Sequence, residues 1–185
     1  MTNEELASRL VARNVVQRGR YFVLRSGEAS PVYVNLRHLC SEPLLTQHLA
    51  SALVAFASER GLLYDRVADV PRGSTLIVFA MSLLSGVSML RPVLDDKRRG
   101  NDLPVWGDYT QGQRVLVVDD VATDGESLAR VVWILRDVKL VVEDALVVVT
   151  RQGNAFRRLK DIGVRLHHLF TLPELLAFDK PQPPA

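Results

Sequence analysis

The sequence predicts an α/β protein built on a parallel sheet with helices on both faces, and three observations carry that prediction. Segments with helical spacing alternate with short apolar runs along the chain. Runs such as "RVLVVDD" and "DALVVVT" are rich in Val and Leu and lack polar alternation, as strands buried on both faces do. The 185 residues, 48% of them apolar, suffice for one domain over 1–185 whose core needs no metal or disulfide staple.

Each element has its own signal. Residues 3–18 have the spacing of an amphipathic helix with acids early, and 21–36 read as two extended segments around the turn "RSGEASP". Residues 43–60 have helical spacing and stop at Gly61. There follow "DRVADV" (strand), "STLIVFAMSLL" (helix), "VSMLRPV" (strand), a charged loop through 112, and "RVLVVDD" (strand). Residues 126–137 predict a helix, "DALVVVT" a strand, 155–162 a short helix, "VRLHHLF" a strand and 172–178 a last helix. The tail "DKPQPPA", 179–185, reads as a flexible end.

Several function classes are disfavoured. With 23 basic against 21 acidic residues, the chain lacks the excess of a non-specific nucleic-acid face. The only cysteine, Cys40, can form no intramolecular disulfide, so a cytoplasmic setting is expected, and alone it does not make a nucleophile. "MTNEELASRLVARN" has no apolar core for a signal peptide. Residues 73–90 carry no charge over 18 positions, but seven are Gly, Ser or Thr and Ser85–Gly86 interrupts them, so a buried helix and strand are expected rather than a membrane span. Neither the P-loop nor the dinucleotide-binding glycine pattern is present. A receiver-domain reading of the "VVDD" strand fails because 113 residues precede Arg114. His167, His168 and Trp133 read as core or surface residues.

The stretch "RVLVVDDVATDGES", residues 114–127, carries the chemistry. In parallel sheets ligands bind beyond the carboxyl ends of the strands, where Asp119 and Asp120 fall. Ionised Asp only accepts hydrogen bonds, which suits a diol or a metal-bound group. The loop that follows, with Thr123, Gly125 and Ser127, leads into a helix whose first amides suit a phosphate. Diol acceptors beside a phosphate cradle describe a ribose 5-phosphate. Asp124 and Glu126 interrupt that cradle. A carboxylate about 4 Å from a phosphate costs roughly 4 kcal/mol at an effective dielectric near 20, so both must point away, be paired with a cation, or weaken binding.

"VLVVDDVATDGES" resembles the phosphoribosyl-diphosphate signature of the type I phosphoribosyltransferases, and "FVLRSGEASPVYVNLR" is similar to the N-terminal segment of the orotate phosphoribosyltransferase family. The order of elements agrees from about residue 5 to 178. The resemblance implies a small N-terminal hood, formed by 1–36 with the C-terminal part, over a type I phosphoribosyltransferase-like sheet. It implies transfer of phosphoribosyl from phosphoribosyl diphosphate to orotate, with Mg²⁺, in a homodimer. Carried over by position, Asp119 and Asp120 hold the ribose, and the loop of Thr123, Asp124, Gly125, Glu126 and Ser127 holds the 5-phosphate. Arg72 and Gly73 fall in the pyrophosphate loop "ADVPRGSTL". Lys97 matches a catalytic loop lysine that reaches the neighbouring subunit's site. Arg25 and Arg151 stand at the orotate contacts.

The match departs at several positions. Val93 and Leu94 stand where the family has two basic residues, for which Arg91, Arg98 and Arg99 could substitute. Arg25 replaces a lysine, with a different reach. Thr150 and Gly153 replace acidic residues flanking Arg151, and Asp124 and Glu126 replace neutral ones. Two other readings therefore stand beside the first: a transferase of this fold for another base, and a non-catalytic protein that senses phosphoribosyl diphosphate or a nucleotide.

Overall fold

The computed structural model describes residues 1–24, 27, 29–94, 103–151 and 153–179. Four long runs of the chain become the parallel core of one sheet: β5 (Arg66–Asp69), β8 (Val115–Ala122), β9 (Asp144–Thr150) and β10 (Arg165–Thr171). With β6 (Met89–Pro92) and β7 (Val105–Trp106) they give the strand order β10-β9-β8-β5-β6-β7, all parallel except β7, which runs antiparallel to β6 at the edge. The β6–β7 pairing corrects the expectation of a plain loop through 112. Two residues, Val105 and Trp106, are too few to leave a period in the sequence, and only Val105 is buried.

The absence of polar alternation has the expected cause. Along β8, Leu116 and Val118 enter one apolar cluster, while Val115 and Val117 enter another on the opposite face. The first face is covered by α1 (Asn3–Ala12), α2 (Pro43–Glu59), α3 (Thr75–Ser85) and α6 (Leu172–Phe178), through Leu6, Leu49, Leu53, Ile77, Met81 and Leu175. The second is covered by α4 (Glu126–Asp137) and α5 (Asn154–Asp161), through Leu128, Val131, Leu135 and Leu159. Fully burying side chains of this size stabilises the fold by roughly 1.5–3 kcal/mol each. Among the described residues, no helix is long and apolar enough to cross a membrane.

The N-terminal region differs from expectation. The first helix ends at Ala12, not at 18: Asn14 takes a left-handed turn at φ 55°, and β1 (Val16–Gln17) pairs with β4 (Tyr33–Val34). The β-branched pair Val15 and Val16 is stiff at χ1 and packs well on a pleated surface, so tertiary pairing overrides the helical spacing. Thr2 and Glu5 form a capping box that sets the helix start. A second small antiparallel pair joins β2 (Phe22–Val23) to β3 (Ala29–Ser30), the latter within the segment "RSGEASP". Arg18 donates to Asp179 at 2.6 Å, which ties this region to the end of α6.

Candidate active site

The site begins at the carboxyl end of β8. Residues 115–118 are buried, so the strand delivers Asp119 and Asp120 to the point where the sheet opens. Asp119 is buried and its Oδ1 accepts the Asp120 N–H at 2.8 Å; Asp120 is half-buried and its Oδ1 accepts the Val121 N–H at 2.8 Å. Each carboxylate thus accepts the amide of the next residue, which fixes its direction.

A short turn then leads to α4. Gly125 sits at φ 75°, in the left-handed region, and a Cβ there would lie 3.0 Å from the Ala155 Cα and 3.0 Å from Leu159 Cδ2. Both the backbone conformation and the approach of α5 therefore require glycine. Thr123, Asp124, Gly125 and Ser127 line the cleft; Glu126 is exposed and is not among the lining residues. Asp124 turns back on its own loop: its Oδ1 accepts the Glu126 N–H at 3.1 Å, while its carbonyl accepts from Arg158 Nε at 2.9 Å. The amide that Asp124 takes is one of those a phosphate at this helix start would use.

The loop between β5 and α3 closes another side. Val70, Pro71, Arg72 and Gly73 line the cleft, and the Pro71–Arg72 peptide is cis. Ser74 braces the loop by donating to the Val70 carbonyl and accepting the Val70 N–H, both at 3.0 Å. Below it lies Asp69, fully buried, whose Oδ2 accepts from Thr75 Oγ1 at 2.5 Å and whose Oδ1 has no partner among the described residues. Burial pushes the Asp69 carboxyl above the usual carboxylate range, against the Thr75 hydrogen bond and the charge of Arg91.

The third wall comes from the N-terminal region: Val23, Leu24, Tyr33, Val34 and Arg37. Arg151, at the end of β9, reaches across to it, donating to the Val32 carbonyl at 3.0 Å and to Ser30 Oγ at 2.7 Å. The cleft measures about 230 Å³.

The structure thus brings Arg72, Gly73, Asp119, Asp120, Thr123, Asp124, Gly125, Ser127 and Arg151 to one cleft. Arg91 is not among the lining residues; it lies on β6, on the edge side of β5. Leu94 packs against the second apolar cluster and Val93 bonds through its N–H to the Pro104 carbonyl at 2.9 Å, so neither is a lining residue. Arg25, Lys97, Arg98 and Arg99 lie outside the described residues. Two residues were missed by sequence reasoning. Arg37 closes the quoted segment "FVLRSGEASPVYVNLR", two residues after Asn35, and a cation just past a cap residue was its signal. Asp69 had a signal too: an acid closing a buried strand ahead of a glycine loop.

A strand-end carboxylate pair, a phosphate-type helix start and a braced glycine loop, on this strand order, define a type I phosphoribosyltransferase. No family model matches the chain. It is 34% identical to the orotate phosphoribosyltransferase of Methanothermobacter thermautotrophicus over 92% of each chain. The solved orotate phosphoribosyltransferase of Aeropyrum pernix superposes with a TM-score of 0.80 at 32% identity, covering 93% of this chain and 97% of that one. The UMP synthase of Leishmania donovani superposes with a TM-score of 0.85 at 30% identity, over 96% of this chain and 38% of that longer one. The chain belongs to the orotate phosphoribosyltransferase family.

Proposed function

We propose that the protein transfers the phosphoribosyl group of phosphoribosyl diphosphate to orotate, giving orotidine 5′-phosphate and pyrophosphate. The observation that carries this reading is the Asp119–Asp120 pair, set between the α4 amides and the loop at Gly73 in a chain with this kinship. Asp119 and Asp120 accept hydrogen bonds from the ribose hydroxyls, and the 123–127 turn receives the 5-phosphate. The transition state carries positive charge on the ribose and growing negative charge on the leaving group, so stabilisation is electrostatic and no nucleophilic side chain is needed. Arg72 faces the departing diphosphate, and Arg151 braces the wall against which the base lies.

The donor set suits Mg²⁺. Asp119 and Asp120 offer only oxygen, and no group of three metal-type ligands occurs among the described residues. Such a site fits an ion held by one or two carboxylates together with substrate phosphates. When bound, it would neutralise charge on the leaving pyrophosphate.

We also infer a homodimer. Leu76, Phe79 and Leu83, 47%, 54% and 71% exposed, form an apolar stripe on the outer face of α3, which a second copy would cover. Lys97 would then act in the neighbouring site. A cytoplasmic location accords with the single cysteine.

The test is a spectrophotometric assay of orotate consumption with phosphoribosyl diphosphate and Mg²⁺, run beside calorimetry on Asp119→Asn and Asp120→Asn. Turnover by the wild type, and loss of phosphoribosyl-diphosphate affinity in the variants (larger for Asp120), are expected. Unchanged affinity in both variants would end the ribose assignment. Val93 and Leu94, apolar where the family is basic, favour a second reading, a binding protein that senses the same ligand; tight binding with no turnover on any base would select it.

A further inference from the structure

We propose that Arg37 recognises the carboxylate of the pyrimidine and so determines the choice of base. This rests on the functional reading above and adds a residue to it.

The position is built rigidly. The Asn35 side chain accepts the Arg37 N–H at 3.2 Å and so caps the 3-10 helix Leu36–Ser41. The Asn35 N–H in turn bonds to the Val15 carbonyl at 2.7 Å. Leu36 and Leu39, on either side, are 2% and 3% exposed. A guanidinium on this base loses less freedom on binding than one on a loose loop.

Its neighbours leave it the task. Arg37 is exposed to the cleft, and among the described residues its side chain makes no hydrogen bond or ion pair. It shares a wall with Leu24, Tyr33 and Val34, whose apolar and aromatic faces suit a flat ring rather than a phosphate. Arg151, the other cation on this side among the described residues, already donates to Ser30 and Val32. Arg72 belongs to the loop that abuts Asp120, on the diphosphate side. The base carries one carboxylate, and a guanidinium presents two parallel donors matched to that shape.

The test compares two nucleotides that differ only in that carboxylate, orotidine 5′-phosphate and uridine 5′-phosphate, by calorimetry on the wild type, Arg37→Ala and Arg37→Lys. The wild type should prefer orotidine 5′-phosphate. Arg37→Ala should weaken it by about 10- to 100-fold and leave uridine 5′-phosphate within about twofold, as expected for one lost charge-assisted pair. Arg37→Lys should recover part of the preference, because it restores charge without the fork. In turnover, the KM for orotate should rise while that for phosphoribosyl diphosphate stays put. Equal weakening of both nucleotides would assign Arg37 to the phosphate or to structure and overturn the proposal. A preference retained in Arg37→Ala would overturn the role of Arg37 alone. A wild type with no preference would overturn the orotate reading itself.

Discussion

Gly73 lies so close to the Asp120 carboxylate that a Cβ at position 73 would stand 2.6 Å from Asp120 Cγ and 2.8 Å from Oδ1. The loop after β5 and the end of β8 are therefore seated against each other through a missing side chain. One links to the leaving group in the proposed reaction, the other to the ribose.

Gly73→Ala should accordingly act on the site more than on the fold. Overpacking of this kind costs about 1–3 kcal/mol, and here the loop or the Asp120 carboxylate must absorb it. We expect weaker phosphoribosyl-diphosphate binding in calorimetry with a melting temperature changed by only a few degrees. Full affinity would mean that Asp120 does not touch the ligand.

Asp124 provides the second test. Its carboxylate accepts the Glu126 amide at the start of α4, where a phosphate would bind, whereas Glu126 itself is exposed. Asp124→Thr should tighten binding of the 5-phosphate by removing both repulsion and competition, with a gain that shrinks as salt rises. Glu126→Gly should change affinity little. A gain above about 2 kcal/mol from Glu126→Gly alone would show that Glu126 faces the ligand.

The stripe on α3 predicts assembly. Phe79→Glu with Leu83→Glu should turn a sedimenting dimer into a monomer that keeps its circular dichroism, since Ile77, Val78 and Met81 still anchor the helix. Activity should fall with dissociation. A wild type that sediments as a monomer at micromolar concentration would remove the shared-site reading.

A fourth expectation concerns acid stability. Asp144 loses hydration by burial, which raises its pKa, yet Arg165 at 2.7–2.8 Å and His167 at 2.7 Å outweigh this and hold the carboxyl below its ordinary value of 3.8. A depressed folded value contributes stability above the unfolded pKa and loses it as pH falls through the folded one. Urea unfolding between about pH 5 and pH 2 should show that decline, and Asp144→Asn should flatten it. Parallel curves for the two proteins would exclude Asp144 as its source.

Sequence reasoning reached the long elements because they repeat a pattern. β9 and α6 were legible to the residue, "DALVVVT" by its unbroken apolar run and 172–178 by its helical spacing. It reached the Asp119–Asp120 pair because the carboxylates follow directly on a buried strand. It did not reach β1 or β7, two residues each, because so short a strand has no period and exists only through its partner. Nor did it reach the direction of Asp124 and Glu126, since neighbouring loop residues of one charge are equivalent until the backbone turns them apart.

By itself, then, the sequence determined the alternation of strands and helices, the two-faced burial of the sheet and the carboxylates at its open end. All of these depend on neighbours along the chain. The tertiary structure decided what depends on distant segments meeting. It placed Gly73 against Asp120, carried Arg151 across to Ser30 and Val32, left Arg91 outside the cleft, and brought Arg37 into it from the first turn of a 3-10 helix, 82 residues before Asp119. Such meetings follow from the packing of whole elements, and no local spacing encodes them.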